Sequence, residues 1–378
     1  MRPKYELAQV IEQFYEDFVI KHNPNSYILR TLHALRICRT SALGGHKEKC
    51  DSCGHIRISY NSCRNRHCPK CQASKQAFWA EDVSERIIDT KYFHLVFTVP
   101  EVLNSICLLD SKKFYSTLFS SVRDTLRTFG YTHYGIESGA VAVLHTWGQN
   151  LSLHPHIHCL VPATGMTLAG HFKSIGKNGK FLYPVKKLSS VFRGKMMQGI
   201  KKYLLKKGLL QKHKDTINQA WKKKWVVFGK KAFGNAEHVI KYLGKYTHRV
   251  AISNNRIQNI DNESVSFFYK DYKNGEKRKL TKLSGTEFLR RFCMHILPKG
   301  FVKIRYYGIL SGRYKKKIVL LRKTPSKPQK KESVQERFKR LTGFDVYICP
   351  VCKKGRMYGL ETVPKIRSPE NCRQKLKL

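Results

Sequence analysis

The middle of the chain carries histidines at a spacing that suits metal binding. The segment HPHIH occupies residues 154–158. Alternate residues of a β-strand point to the same side, so on a strand His156 and His158 aim at one point while the residue between them enters the opposite core. Two such imidazoles can hold a divalent ion and leave coordination positions for water or a phosphate. His145 stands on the preceding predicted strand, and a hairpin centred near residues 151 and 152 places it opposite His158 as a third ligand. Weaker candidates for that third position are the loop residues Gln149 and Asn150.

A cysteine-rich segment lies nearer the N-terminus. Cys50 and Cys53 form one C-x-x-C pair, and Cys68 and Cys71 form another after a gap of 14 residues. Paired C-x-x-C segments place four thiolates at the corners of a tetrahedron, the geometry that Zn²⁺ prefers. The spacing predicts one structural zinc ion on these four cysteines. Additional ligands, for a second ion or for a different set of four, are available at Cys63 and His67.

Cys349 and Cys352 form half of another zinc site near the other end of the chain. The sequence does not identify their partners, although Cys372 lies downstream. The chain has 12 cysteines, and in a reducing compartment such usage indicates metal binding rather than disulfides. A second, C-terminal zinc ion is therefore an open alternative.

Two tyrosines stand one helical turn apart. Tyr242 and Tyr246 fall on a predicted helix for which Asn235 is the N-cap, and residues four apart share a helix face. They could simply extend an apolar stripe with Val239 and Leu243. Beside a metal-binding histidine pair they could instead be nucleophiles, because a tyrosine oxygen can attack a phosphodiester and hold the strand as a phosphotyrosine.

The charge balance indicates a nucleic-acid partner. The chain has 72 Lys and Arg against 26 Asp and Glu, a formal net charge of +46, and cations that neutralise phosphates release counterions. Charge alone also fits a basic ribosomal or chromatin-type protein. No apolar run reaches the roughly 20 residues that span a bilayer and the N-terminus does not resemble a signal peptide, so a cytoplasmic, nucleoid-associated protein is expected. Candidate DNA-binding residues are Arg64, Arg66, Lys303 and Arg305.

Hydrophobic periodicity predicts the elements that position these residues. Helical periods occur over residues 5–40, 73–89, 111–129, 187–208, 236–246 and from 285 to about 295. Short runs of β-formers predict strands at residues 92–99, 140–147, 156–161 and 225–228. We expect three domains: residues 1–90, helical and zinc-binding; residues 91–298, carrying the histidines and tyrosines; and a basic region at residues 299–378 with the C-x-x-C half-site.

Three segments together resemble a known family. They are CDSCGHIRISYNSCRNRHCPKCQ at residues 50–72, HPHIHCLVP at 154–162 and YLGKYTHRVAIS at 242–253. In this order they resemble the rolling-circle transposases of the insertion sequence 91 type, within the HUH endonuclease superfamily. The resemblance implies an α+β fold with a ferredoxin-like antiparallel catalytic sheet after the zinc-binding domain. It also implies Mg²⁺ or Mn²⁺ on the histidines and nucleophilic roles for Tyr242 and Tyr246.

The resemblance further implies single-stranded DNA as substrate, nicked and transferred through a 5′-phosphotyrosine. No helicase P-loop is evident, so strand separation is expected to come from host replication or helicase functions. Two alternatives remain open at the sequence level. One is a plasmid rolling-circle replication initiator or relaxase, and the other is a non-catalytic, zinc-dependent nucleic-acid-binding protein.

Overall fold

The structure is a computed structural model. It describes residues 3–84, 87–175, 183–230, 244, 249–271, 275, 277–319 and 332–366. Tyr242 and Tyr246, the helix predicted to carry them, and Cys372 lie outside the described residues.

The strands are short and pair in antiparallel fashion. In chain order they are β1 (Gly45–Cys50), β2 (Ile56–Tyr60), β3 (Tyr92–Thr98), β4 (Ile136–Ser138), β5 (Ala140–Trp147), β6 (Leu153–Pro162), β7 (Thr164–Thr167), β8 (Phe172–Ser174), β9 (Val226–Lys230), β10 (Ile257–Ile260), β11 (Ser264–Asp271), β12 (Lys277–Ser284), β13 (Ile304–Tyr307) and β14 (Met357–Val363).

Helices separate these strands along the chain. The α-helices are α1 (Leu7–His22), α2 (Ser26–Arg36), α3 (Gln72–Ser84), α4 (Asn104–Leu109), α5 (Ser111–Tyr134), α6 (Val185–Lys206), α7 (Lys214–Lys222), α8 (Gly285–Cys293), α9 (Lys315–Val319) and α10 (Val334–Thr342). Within the described residues, no helix is both long and apolar enough to cross a membrane.

The contacts divide the chain into two compact units. The first unit comprises Met1–Phe78, Ile252–Cys293 and Gln329–Leu378, and the second comprises Trp79–Ala251 and Met294–Pro328. This division differs from the three consecutive domains that the sequence predicts. The reason is long-range pairing: β14, from the C-terminal region, pairs with β1, and the Leu7 N–H donates to the Asn254 side chain at 3.2 Å.

The first unit contains two three-stranded antiparallel sheets. β1 lies between β14 and β2, and β11 lies between β10 and β12. α1 packs against α2 and α8. The side chains that α1 buries recur at helical spacing, as its sequence predicts: Leu7, Val10, Ile11, Phe14 and Phe18.

The second unit is built on a five-stranded antiparallel sheet in the order β13-β5-β6-β3-β9. One face of this sheet packs on α5 and α6 and forms the main hydrophobic core. Because side chains alternate across a strand, Leu144 and Ile157 enter this core, where they meet Phe119 and Phe192 of the two helices. The placement of Ile157 confirms the alternation predicted for the HPHIH segment.

The other face of this sheet is divided along the strands. At one end a second apolar cluster covers Tyr92, Val143 and Leu160. At the other end the same face carries the histidines. The sheet therefore packs on the helices through one face and carries the histidines on its other face.

Candidate functional site

Three histidines meet on the second unit's sheet. His145, His156 and His158 each offer a ring nitrogen, and these atoms lie within 4.8 Å of one another. The ring centroids are 4.6 Å apart for His145 and His158 and 4.9 Å apart for His156 and His158. His145 is 3% and His158 9% exposed, so the cluster is largely shielded from water. Three convergent imidazoles can hold one divalent ion.

The strand register at this site differs from the predicted one. His145 pairs with His156, and Val143 pairs with His158; the prediction that His145 stands opposite His158 is therefore wrong. The physical reason is the position of the turn: Trp147 pairs with Leu153, which centres the hairpin at residue 150 rather than near residues 151 and 152. A one-residue register shift between His145 and Trp147, as in a β-bulge, changes the pairing further along the strands. His145 nevertheless lies on the histidine face. Its partner His156 and its diagonal neighbour His158, two residues further along β6, both lie on that face.

Hydrogen bonds assign the ring nitrogens of the cluster. The His156 Nδ1 lies 2.6 Å from the His154 carbonyl oxygen; since the carbonyl can only accept, Nδ1–H donates and Nε2 keeps its lone pair. The His158 Nδ1 lies 2.9 Å from the His94 Nε2. If His158 donates there, its Nε2 carries the lone pair that could ligate a metal. Metal-binding histidines use the second nitrogen in this way.

His156 and His158 are held in the neutral form that metal binding needs. Burial lowers the pKa of His156 to about 4 and that of His158 to about 2. The positive charge of Arg249 contributes to both decreases. No proton therefore competes for these nitrogens at neutral pH, and the same field favours an anion such as a phosphate.

The cysteines form two clusters in the first unit. One consists of Cys38, Cys63, Cys68 and Cys71, and the other of Cys50, Cys53, Cys349 and Cys352. The prediction that Cys50, Cys53, Cys68 and Cys71 share one zinc ion is therefore wrong. The reason is the geometry of the β1–β2 hairpin. Cys50 lies at the turn end of this hairpin, and Cys63 follows β2 at the opposite end. The five residues of β2 separate the two ends by about 17 Å.

The first cysteine cluster has the chemistry of a zinc site. The Cys38 sulfur lies 3.6 Å from that of Cys71 and 3.5 Å from that of Cys68. The Cys63 N–H donates to the Cys38 sulfur at 3.4 Å. The neighbouring thiols, with Cys63 contributing most, hold the pKa of Cys38 far below its usual range. Cys63 therefore joins this set, whereas His67 is not part of either group of converging ligands.

Comparison with known proteins identifies the family. Residues 10–99 match the family described as "Transposase zinc-binding domain", and residues 139–317 match the family described as "Putative transposase". "Putative transposase y4qJ" of Sinorhizobium fredii (strain NBRC 101917 / NGR234) is 41% identical over 390 residues, covering 97% of this chain and 98% of that protein. The chain belongs to the transposases of the insertion sequence 91 type.

A more distant relative agrees with this assignment. "Transposase for insertion sequence element IS801" of Pseudomonas savastanoi pv. phaseolicola is 28% identical over 353 residues, covering 87% of this chain and 83% of that protein. No solved structure matches the chain. The family and the α+β class predicted from the sequence are thus confirmed, and DNA is the partner of this transposase.

The ranges of the two family matches include some of the candidate metal ligands and leave out others. The match at residues 10–99 includes every member of the first cysteine cluster, which supports zinc there. It includes Cys50 and Cys53 of the second cluster but ends well before Cys349 and Cys352. The match at residues 139–317 includes all three histidines and also Tyr242 and Tyr246, which lie outside the described residues.

Two histidines near the cluster, His94 and His295, were not predicted from the sequence as site residues. His94 lies within the apolar strand β3 and contacts His158, as described above. His295 is 2% exposed and lies 3.2 Å from the Thr146 hydroxyl and 3.1 Å from the Leu151 carbonyl oxygen. The sequence offered one indication of His94: it is a titratable side chain within the otherwise apolar strand β3. Cys38 was equally missed, although Cys63, Cys68 and Cys71 lack a fourth ligand without it.

The candidate DNA-binding residues occupy different environments. Arg64 is exposed beside the first cysteine cluster, and Arg66 is half-buried there. The Lys303 ammonium lies 5.3 Å from the centre of the Trp147 ring, which in turn stacks on His145. The Arg305 guanidinium instead lies 4.1 Å from the Phe119 ring, on the helix-facing side of the sheet. Lys303 is therefore the member of this set placed near the histidines.

Proposed function

We propose that this transposase nicks and transfers single-stranded DNA through a tyrosine, at a site centred on His145, His156 and His158. The observation that carries the proposal is the convergence of three imidazoles, of which His156 and His158 are kept neutral by burial. Bound to them, Mg²⁺ or Mn²⁺ would polarise the scissile phosphate and offset its charge. Nitrogen ligands suit Mn²⁺ better than Mg²⁺, which prefers oxygen.

The charges around the histidines fit a phosphodiester. Arg249 is exposed and close enough to lower the pKa of His156 and His158. The Lys303 ammonium donates to the Arg249 carbonyl oxygen at 3.0 Å and lies over Trp147. Two cations beside a neutral metal-binding cluster attract the backbone of a DNA strand and orient one phosphate toward the histidines.

The nucleophile that fits best is Tyr242 or Tyr246. Tyr246 is three residues from Arg249, and an extended chain covers at most about 11 Å over that length. The phenol oxygen would attack phosphorus while the bond to the 3′-oxygen of the upstream strand breaks. The phenol proton ends on that leaving oxygen, and the downstream strand stays attached as a 5′-phosphotyrosine. Attack by a 3′-hydroxyl on this ester rejoins a strand, so two tyrosines allow two successive transfers.

The remaining parts of the proposal follow from this reaction. We propose that the attacked strand is single, in which case host replication or helicase functions would expose it. The cysteine clusters would supply a zinc-stabilised module that binds DNA, with Arg64 and Arg66 as phosphate contacts.

A substitution at His158 tests the metal-binding role. In His158→Ala we expect the cleavage rate of a labelled single-stranded oligonucleotide to fall at least about 100-fold, because the ion supplies several kcal/mol of transition-state stabilisation. Affinity for the same oligonucleotide should stay within about threefold, since phosphate contacts dominate it. His171→Ala, at an exposed histidine outside the cluster, is the matched control. Cleavage by His158→Ala at the control's rate would remove the histidines from the mechanism.

A further inference from the structure

The second cysteine cluster joins distant parts of the first unit. Cys50 ends β1 and Cys53 follows it, whereas Cys349 and Cys352 precede β14. The Cys50 sulfur lies 3.7 Å from the Cys352 sulfur, and the Cys53 sulfur lies 3.7 Å from the Cys349 sulfur. We propose that these four cysteines bind a second zinc ion, which fastens the C-terminal segment of the transposase to its N-terminal β-hairpin.

The sulfur spacing fits tetrahedral zinc. A Zn–S bond of about 2.3 Å places the sulfurs of a regular tetrahedron about 3.8 Å apart. Both measured separations, at 3.7 Å, agree with this edge. They are far longer than the roughly 2.0 Å of a disulfide bond. Four sulfurs at such spacing form the donor set of a closed structural zinc site.

The two C-x-x-C segments also have the same backbone shape. The Gly54 N–H donates to the Cys50 carbonyl at 3.2 Å, and the Lys353 N–H donates to the Cys349 carbonyl at 3.0 Å. The residue after each second cysteine has a positive φ, +68° for Gly54 and +58° for Lys353. For lysine this left-handed conformation is unfavourable, because its Cβ crowds the backbone. A matched pair of such turns, one of them strained, is consistent with a shared ligand.

Gly355 leaves room for the ligand sulfurs. A Cβ at this position would lie 2.5 Å from the Cys50 sulfur, so no larger residue fits without displacing it. The Gly355 N–H also donates to the Cys352 sulfur at 3.3 Å. This residue thus brings its backbone against sulfurs of both C-x-x-C segments.

The packing around the cluster is too small to hold the segment by itself. Its buried hydrophobic residues are Cys50, Cys349 and Met357, with Cys352 packed against them. Most of β14 is exposed, Met357 being its one fully buried residue. Burial of one methionine contributes little against the conformational entropy of ordering a seven-residue strand. Metal binding can supply the missing free energy, as in other small zinc modules.

Zinc stoichiometry of the full chain tests this inference without any cleavage assay. Native mass spectrometry of the wild-type transposase should show two zinc ions per chain, and Cys352→Ser should show one. The matched control is Cys293→Ser, a free, buried cysteine of the same unit that belongs to neither cluster; it should keep two. One ion in the wild type, or two in Cys352→Ser, would overturn the proposal.

A measurement on the wild type covers the case in which Cys352→Ser does not fold. Cys53 is exposed, so iodoacetamide can reach its sulfur when no metal ion is bound to it. We expect Cys53, Cys349 and Cys352 to resist alkylation in the zinc-loaded protein and to react together once a chelator is added, as read by peptide mass spectrometry. Alkylation of Cys53 at the same rate with and without chelator would contradict a zinc ion at this site.

Discussion

The chemistry of the histidine cluster depends on which ring nitrogen each residue presents. The Nδ1–H of His156 donates to the His154 carbonyl oxygen, and the Nδ1 of His158 is hydrogen-bonded to the Nε2 of His94. The His94 and His158 ring planes differ by only 3°, so the hydrogen bond lies in the plane of both rings. We therefore propose that His94 is a positioning residue, which would act through the orientation of His158.

Removal of His94 should weaken metal binding without abolishing it. We expect the Mn²⁺ dissociation constant of His94→Ala to rise about 10- to 100-fold, as is usual when the hydrogen-bond partner of a metal ligand is lost. His94→Gln, whose side chain can still bond to the His158 Nδ1, should recover part of that loss. Mn²⁺ titration followed by electron paramagnetic resonance, with His171→Ala as control, provides the measurement. Equal affinities in His94→Ala and the wild type would show that His94 only fills space.

At the scale of elements, the β5–β6 hairpin determines how the histidines meet. Strand alternation predicts from the sequence that His156 and His158 share a face, and this is confirmed. The predicted register was wrong because the hairpin turns at residue 150, where Trp147 pairs with Leu153, and not near residues 151 and 152. Local patterns reveal which face of a strand a residue occupies, but they do not reveal where the turn is centred or where a register shift interrupts the ladder.

The buried His295 should make this hairpin sensitive to acid. Burial lowers the pKa of His295 to about 4, below the value of about 6.5 expected for unfolded histidine. The unfolded chain then binds the proton more readily, so stability is complete above pH 6.5 and is lost as pH falls from there toward 4. Between pH 7.5 and 5 this residue alone should cost about 2 kcal/mol of unfolding free energy.

Urea unfolding at both pH values checks this prediction. His295→Gln keeps a donor for the Leu151 carbonyl and an acceptor for the Thr146 hydroxyl but does not titrate. Its unfolding free energy should therefore change with pH by about 2 kcal/mol less than that of the wild type. If the two proteins show the same pH dependence, His295 is not buried in the neutral form.

The cysteines show the same limit of local patterns. C-x-x-C spacing predicts zinc binding from the sequence, and the family match supports zinc. Assignment of the ligands to clusters failed, because Cys38 and the pair Cys349 and Cys352 reach their partners through the tertiary structure. Sequence spacing identifies candidate ligands, whereas the length of the β1–β2 hairpin decides which of them can meet.

At the scale of the whole molecule, the net charge of +46 should dominate DNA affinity. If six to ten phosphates of a single strand are neutralised, a plot of log K against log salt should have a slope of about −4 to −7. Fluorescence anisotropy with a labelled oligonucleotide at several KCl concentrations measures this slope. An oligonucleotide with an uncharged methylphosphonate backbone is the control and should show little salt dependence. A slope near zero for the natural strand would mean that the charge serves another purpose.

The division into two units was also beyond prediction from the sequence. Helical and strand periods locate most elements, including α1, α5 and four strands of the second unit's five-stranded sheet, but not its edge strand β13. They carry no information on which distant segments pair, so the pairing of β14 with β1 is seen only in the structure. The two discontinuous units of the structure therefore differ from the three consecutive domains that were predicted.

The central claim is that a tyrosine of this transposase becomes covalently attached to a DNA strand. The most direct test is to incubate the full chain with a single-stranded oligonucleotide of the element end and Mn²⁺, digest the adduct and locate the modified residue by mass spectrometry. We expect the nucleotide on Tyr242 or Tyr246, and no adduct from the double variant Tyr242→Phe with Tyr246→Phe or from His158→Ala. An adduct on any other residue, or one that still forms in the double variant, would contradict this account.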